Sequence, residues 1–340
     1  MIEPWIHQGC LGERIGAWYA HHPFASGTRP ASGEEKPESL DTARRGKSEP
    51  APGPEPDRSW ETNGGEPEVS VAGRVVITRM IPEPGPSLVA SVADPLDYHH
   101  KDEGLTPEAL RARVAGAAAV LCLLTDAIDE AVLESARGCR VFANMAVGYN
   151  NIDVAAATRR GILVTNTPGV LTVATADLTW TLILGVARRA AEGDRVMRAG
   201  QFAGWGPMYM LGGEVTGRVL GLIGPGRIAT AVARRAAGFE MTILYSGRHA
   251  SPEIDALGGT WTPLERLLSE SDFVSLHVPL TDQTRHLIDR AALARMKPTA
   301  YLINTARGPV VDEHALVEAL RSGVIAGAGL DVYEEEPRMA

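Results

Sequence analysis

Hydrophobic positions along the chain fall into two regimes. Between positions 31 and 68 the only Leu, Ile, Val, Phe or Met is Leu40, whereas Pro, Gly, Glu, Ser and Arg recur. Such a stretch has too little apolar surface to offset the entropy of ordering it. Residues 1–72 are therefore predicted to be a disordered segment, either a functional tail or the product of a start codon set too far upstream. From Gly73 onward short apolar runs alternate with helical spacings. RVVIT (74–78), VLCLL (120–124), VFANMA (141–146) and ILVTN (162–166) read as strands. Between them lie a helix over 106–115, with Thr106 as cap and Pro107 in first position, one capped by Asp129, and one over 151–160. This alternation predicts a parallel sheet covered on both faces, forming one domain over residues 73–170.

A second domain is expected over 171–340. It opens with one long helix over 172–198, apolar in its first half and charged later. The following GQFAGWGPMYMLGGEV (200–215) has neither helical nor strand periodicity and reads as a loop, its aromatics either buried on their own domain or kept for a subunit contact. RVLGLIGPGRIATAVARRAAG (218–238) then has the order of a dinucleotide-binding turn: a short buried strand, a Gly224-x-Gly226-x-x-Ala229 pattern, and a helix with Ile228, Val232 and Ala236 on one face. Gly224 permits the tight turn, Gly226 lets the backbone approach a pyrophosphate at the helix N-terminus, and Ala229 allows close packing of helix and strand.

The next apolar run, MTILY (241–245), brings Ser246 to the place, twenty residues after Gly226, where such folds read the adenosine ribose. The stretch Ser246-Gly247-Arg248-His249 has no carboxylate to repel a 2′-phosphate, and Arg248 can pair with one, so NADP(H) is favoured and NAD(H) is possible. The alternative is a solvated Arg248. DFVSLHVPL (272–280), AYLINTARG (300–308) and AGAGLDVYEEEP (326–337) each end a strand at a polar or small cluster. Their carboxyl ends face the cofactor side, so Pro279, Thr305, Arg307 and Asp331 are expected to converge there. Arg307 either binds a substrate carboxylate through its planar fork or pairs with Asp312. In the first domain, the amides of Val147 and Gly148 could hold a carboxylate; otherwise Gly148 makes a turn and Asn151 caps the next helix.

Composition narrows the field. In 340 residues, 44% apolar and 22% charged content is that of an ordinary globular protein, and a net charge of −9 gives no electrostatic reason to expect nucleic acid or an anionic membrane as partner. The three cysteines, Cys10, Cys122 and Cys139, lack metal-ligand spacing and fit a reducing cytoplasm; Cys122 reads as a core residue. No apolar run approaches the ~20 residues of a spanning helix, and the N-terminus lacks a signal-peptide order.

With these motifs in order, the chain resembles the D-isomer-specific 2-hydroxyacid dehydrogenases, most of all their glyoxylate/hydroxypyruvate reductase branch. The resemblance runs from about Gly73 to Pro337 and is carried by MAVGYNNIDVAAATRRGILVTNTPGVLT, ATADL, the glycine turn with YSGRH, INTARGPVVDE and GAGLDVYEEEP. It implies a flavodoxin-like substrate domain and a Rossmann nucleotide domain, both doubly wound α/β sheets, with the C-terminal part missing. It also implies NAD(P)H-dependent reduction of glyoxylate or hydroxypyruvate by hydride transfer, and a homodimer in the full-length form. By the same resemblance, Val147 and Gly148 hold the substrate carboxylate, Arg307 binds it and polarises the carbonyl, and Glu336 orients and tunes a catalytic histidine. Thr175, Arg227, Ile228, Pro279 and Asp331 match cofactor contacts, and Trp205 matches a loop that reaches a partner's active site.

The chain departs from the family pattern in several places. The family's acid histidine follows the glutamate by a few tens of residues, and this sequence ends at Ala340 before such a turn; neither His277 nor His314 takes that role. The final sheet strand and the helices returning to the first domain are expected to be missing with it, leaving the chain nearly inactive as given. Pro225, Ala229 and Glu240 stand where the family more often has Leu, Gly and Gly. Two rival functions share the architecture: a dinucleotide-binding sensor or scaffold without turnover, and a formate or phosphite dehydrogenase.

Overall fold

The computed structural model describes residues 71–336, 338 and 339. The segment expected to be disordered lies outside these residues, except that Val71 and Ala72 already belong to the first strand. Five strands, β1 (Val71–Ile77), β2 (Ala93–Tyr98), β3 (Ala119–Leu123), β4 (Val141–Met145) and β5 (Leu163–Thr165), form one parallel sheet in the order β2-β1-β3-β4-β5. This is the flavodoxin-type order. Helices α1 (Gly85–Ala90), α2 (Pro107–Val114), α3 (Glu130–Ser135) and α4 (Val154–Arg159) connect the strands. Val76, Val120, Cys122 and Phe142 from the strands pack with Leu110, Val132, Leu133 and Ile152 in one buried cluster.

Thr106 and Asp129 cap α2 and α3 as their sequences predict, each accepting a hydrogen bond from the third residue beyond it. The helix expected from Asn151 begins three residues later, because Asp153, not Asn151, caps it. ADPLDY was not foreseen as β2. Its two acids and a proline hide the strand pattern, and an edge position tolerates them because only one side must pair.

The second sheet is also wholly parallel, with β6 (Val219–Ile223), β7 (Thr242–Ser246), β8 (Thr260–Trp261), β9 (Phe273–Leu276), β10 (Tyr301–Asn304) and β11 (Gly327–Leu330) in the order β11-β10-β9-β6-β7-β8. Counted within the sheet, this is the Rossmann order 3-2-1-4-5-6 read from the other edge. The order reverses between β6 and β9, and in open α/β sheets ligands bind outside the carboxyl ends at such a reversal. Helices α5 (Thr172–Ala187) and α7 (Arg227–Ala236) contribute Trp180, Ile183, Ala229 and Val232 to one core cluster. A second cluster takes Leu267 and Leu268 from α9 (Leu264–Glu270), Leu293 from α10 (Arg290–Arg295) and Leu316 from α11 (Glu313–Ser322). The short α8 (Pro252–Asp255) lies between β7 and β8.

The long helix expected over 172–198 is broken. α5 stops at Ala187, Arg189 adopts the left-handed conformation at φ +53°, and α6 resumes over Ala190–Arg198. The returning loop enforces the break. The Gly213 N–H donates to the Ala187 carbonyl at 2.8 Å, the backbone at Gly212 lies so close that a Cβ would sit 2.5 Å from the same oxygen, and Arg189 donates to the Leu211 carbonyl at 3.3 Å. The expected loop over 200–215 carries no helix or strand. Among the described residues no helix is long and apolar enough to cross a membrane.

Candidate active site

The turn from β6 into α7 is built as the small residues dictate. Gly224 has φ +92°, and a Cβ there would meet Val278 Cγ1 at 2.7 Å and the His277 carbonyl carbon at 2.8 Å, so two separate constraints require glycine. Gly226 precedes the ten-residue α7, and no atom lies within 4 Å of where its Cβ would be. The approach to the helix N-terminus, with its unpaired N–H groups, is therefore open to a phosphate. Ala229 is fully buried against the strand, Ile228 is half-buried on the core, and Arg227 is exposed. These features fit a bound dinucleotide.

At the end of β7, the Ser246 carbonyl accepts a hydrogen bond from Gly224 N at 2.9 Å, which joins the turn after β7 to the glycine turn. The pyrrolidine ring of Pro225 fills the space over Gly247, where a Cβ would lie 2.3 Å from Pro225 Cδ. Arg248 is exposed and, among the described residues, makes no hydrogen bond or ion pair.

Arg307 lies where the two sheets meet. Its Nε donates to Asn150 Oδ1 at 3.1 Å, across 157 positions of sequence, and its Nη1 donates to the Ala306 carbonyl at 2.7 Å. Gly148 is so close that a Cβ would sit 2.1 Å from Arg307 Nη2. The pairing with Asp312 does not occur, because Asp312 caps α11 by accepting from Ala315 N at 2.9 Å. Among the described residues Arg307 has no ion-pair partner. Burial lowers its pKa from the usual guanidinium range, and the charge of Glu336 opposes that shift.

The loop beneath Arg307 presents amides. The Val147 carbonyl accepts from Asn166 Nδ2 at 2.8 Å and the Gly148 carbonyl from Asn144 Nδ2 at 2.9 Å. With both carbonyls held, the N–H groups of Val147 and Gly148 have no hydrogen-bond partner among the described residues. Asn151 does not cap a helix; its amide donates to the carbonyls of Leu123 and Asp126, both at 3.1 Å, and so supports the loop. Asn304 shapes the arginine loop in the same way, donating to the Arg307 carbonyl at 3.0 Å and accepting from Ala306 N at 3.0 Å.

Pro279, Thr305 and Asp331 follow the carboxyl ends of β9, β10 and β11. The Thr305 hydroxyl meets that of Thr179 at 3.0 Å, one turn after Thr175 on α5, and ties β10 to that helix. Asp331 N donates to the Asn304 carbonyl at 2.9 Å; burial, and then the charge of Glu336, raise the pKa of the Asp331 side chain. The Glu336 carboxylate accepts from Tyr333 N at 2.9 Å. Pro279 is exposed beyond β9, its carbonyl accepting from Thr284 Oγ1 at 2.6 Å. Burial pushes the His277 imidazole down to about 3, so it is neutral, and it bonds to Ser275 Oγ at 2.9 Å. His314 is exposed on α11, and His286 engages Glu334 at 2.5 Å. Asn144, Asn150, Asn166 and Asn304 were not singled out by sequence, since each acts through a contact made only on folding. Among the described residues no cluster of His, Cys, Asp or Glu could hold a metal ion.

The second sheet thus has the Rossmann order and an open glycine turn, and Arg307 stands without an ion-pair partner beside the free amides of Val147 and Gly148. Residues 180–340 match the family model described as D-isomer specific 2-hydroxyacid dehydrogenase, NAD binding domain. A glyoxylate reductase of Korarchaeum cryptofilum is 52% identical over 266 residues, covering 78% of this chain and 80% of the relative. Two crystal structures are similar: a glyoxylate reductase from Paecilomyes thermophila (TM-score 0.70, 33% identity, 78% of this chain and 83% of that one), and a D-lactate dehydrogenase from Aquifex aeolicus complexed with NAD and lactic acid (TM-score 0.69, 29% identity, 78% of each chain). The chain belongs to the D-isomer specific 2-hydroxyacid dehydrogenases, in their glyoxylate reductase branch.

Proposed function

We propose that the chain carries the site for reduction of glyoxylate or hydroxypyruvate to the 2-hydroxy acid, with NADP(H) preferred over NAD(H), and that the general acid which completes the reaction is not among the residues described. The observation that carries this reading is the unpaired Arg307 guanidinium, set against the two free amides of Val147 and Gly148 where the sheets meet. The amides and the planar fork together suit a carboxylate, and the remaining donors of Arg307 would polarise the adjacent carbonyl oxygen as negative charge develops on it. Reduced nicotinamide, when bound, supplies the hydride. Gly224, Gly226, Arg227 and Ile228 would hold its pyrophosphate, while Thr175, Pro279, Thr305 and Asp331 would line the crevice around the rest. Glu336 tunes the site electrostatically: its charge favours the protonated form of neighbouring groups, as it does at Asp331.

The cofactor preference rests on Ser246 and Arg248. No carboxylate at the end of β7 repels a 2′-phosphate, and the unpartnered Arg248 adds a charge-assisted contact of ~1.5–3 kcal/mol, roughly tenfold to a hundredfold in affinity. The exposed apolar side chains of the 200–215 loop, with Trp205 at 85% exposure, support a homodimer in which this loop meets the partner. A cytoplasmic location agrees with the free thiols of Cys122 and Cys139.

Replacing Arg307 by Ala tests the assignment. In a full-length version that carries the general acid, turnover of glyoxylate should be lost while the NADPH dissociation constant stays within about twofold, since the guanidinium is assigned to substrate and not to phosphate. Cofactor affinity that falls in parallel with turnover would overturn it.

A further inference from the structure

The ribose-reading turn is pinned on both sides and left free at one peptide. At its start the Ser246 carbonyl accepts from Gly224 N at 2.9 Å. At its end Ser251 N donates to the buried Tyr245 hydroxyl at 2.9 Å, and that hydroxyl donates to Asp255 Oδ1 at 2.5 Å. Between these anchors the one side-chain hydrogen bond to the turn's backbone is that of Trp261, whose Nε1 donates to the Gly247 carbonyl at 3.3 Å. Trp261 stands on the edge strand β8, paired with Tyr245 of β7, and is 52% exposed, so core packing alone does not account for its size.

The two neighbours of Gly247 act on the same peptide. Pro225 fills the space of any Cβ at 247, which excludes every side chain from that position, a ribose-selecting carboxylate included. Glycine, however, leaves the peptide that follows it free to rotate, and a carbonyl turned toward the ribose would set its negative end against a dianionic phosphate. Trp261 holds that carbonyl on the side of β8. Arg248, the next residue, stays exposed and uncommitted.

We propose that Trp261 is a specificity-determining residue for the cofactor: its indole N–H, acting with Pro225, fixes the Gly247 peptide so that residues 246–249 accept a 2′-phosphate. This rests on the NADP(H) preference proposed above. Trp261 acts through the turn, so it is a positioning residue whose loss is felt by one cofactor and not the other. Trp261→Phe keeps most of the ring and removes only the donor.

Calorimetric titration of NADPH and NADH onto the parent, Trp261→Phe, Arg248→Ala and the double variant tests the proposal. Trp261→Phe should weaken NADPH roughly threefold to tenfold, the range of a single hydrogen bond, and change NADH less than about twofold. In the double variant the loss should fall short of the product of the two single losses, because both act on one phosphate contact. A parent that binds NADH as tightly as NADPH overturns the cofactor reading, whatever Trp261 does. A parent that prefers NADPH, with a preference that survives Trp261→Phe, overturns the role of Trp261 alone. Equal weakening of both cofactors does the same, since it would make the indole a platform for the shared adenosine.

Discussion

Glu240 shows what a single residue costs in this fold. It ends the turn after α7 in the left-handed conformation, at φ +53° and ψ +31°, where a side chain is strained and glycine is not. By the family resemblance, this position more often holds glycine. Glu240→Gly is therefore expected to stabilise the protein by ~1 kcal/mol and to raise the melting temperature by roughly 2–4 °C in a thermal scan. No change, or a fall, would mean that the greater freedom of glycine in the unfolded chain offsets the relief. Residues whose roles are local were legible in this way. Gly224, Gly226 and Ala229 follow from the backbone geometry of one turn, and Arg307 from its uncompensated charge. The four asparagines that shape the two loops were not, because an amide's role is set by the carbonyl it reaches, and for Asn166 that carbonyl lies 19 positions away.

Among the elements, β2 and α2 depend on one carboxylate. Asp97 of β2 accepts from Arg113 of α2 at 2.7 Å and from Arg74 of β1 at 2.8 Å, closing a triangle across three elements. The Arg113 hydrogen bond holds the Asp97 carboxyl below the usual carboxylate range, burial opposes this, and Arg74 adds to the lowering. A carboxylate more acidic in the folded state stabilises the fold above its unfolded pKa of about 3.9, and that contribution is lost as pH falls through the folded value. Asp97→Asn should cost roughly 1–2 kcal/mol in urea unfolding at pH 7, with the gap from the parent narrowing as pH falls below about 4. A gap that is constant with pH would assign the loss to packing. The same triangle explains why β2 was illegible: Asp97 is satisfied by partners on other elements, and Asp94 is exposed. Capped helices such as α2 and α3 were legible because cap and first turn are adjacent in sequence, whereas the break between α5 and α6 is imposed by a loop that returns more than twenty residues later.

At the scale of the molecule, the two parallel sheets follow from alternation and from the glycine turn, both of which the sequence displays, while their strand orders were expected only through the family resemblance. Assembly is the property that sequence pattern reaches least. If the 200–215 loop meets a partner as proposed, Trp205→Ser should shift the sedimentation of the purified protein from dimer toward monomer without altering its melting at low concentration; an unchanged dimer would place the interface elsewhere. The meeting of Gly148 and Arg307 has a consequence for modularity. One half of the chain supplies a missing Cβ and an asparagine acceptor, and the other supplies the guanidinium that occupies that gap. On the proposed assignment, neither half carries the chemistry alone; it resides in the seam. Exchanging one half between relatives is thus a lock-and-key operation, and a chimera inherits activity only where the 144–151 and 304–307 stretches arrive as a matched pair.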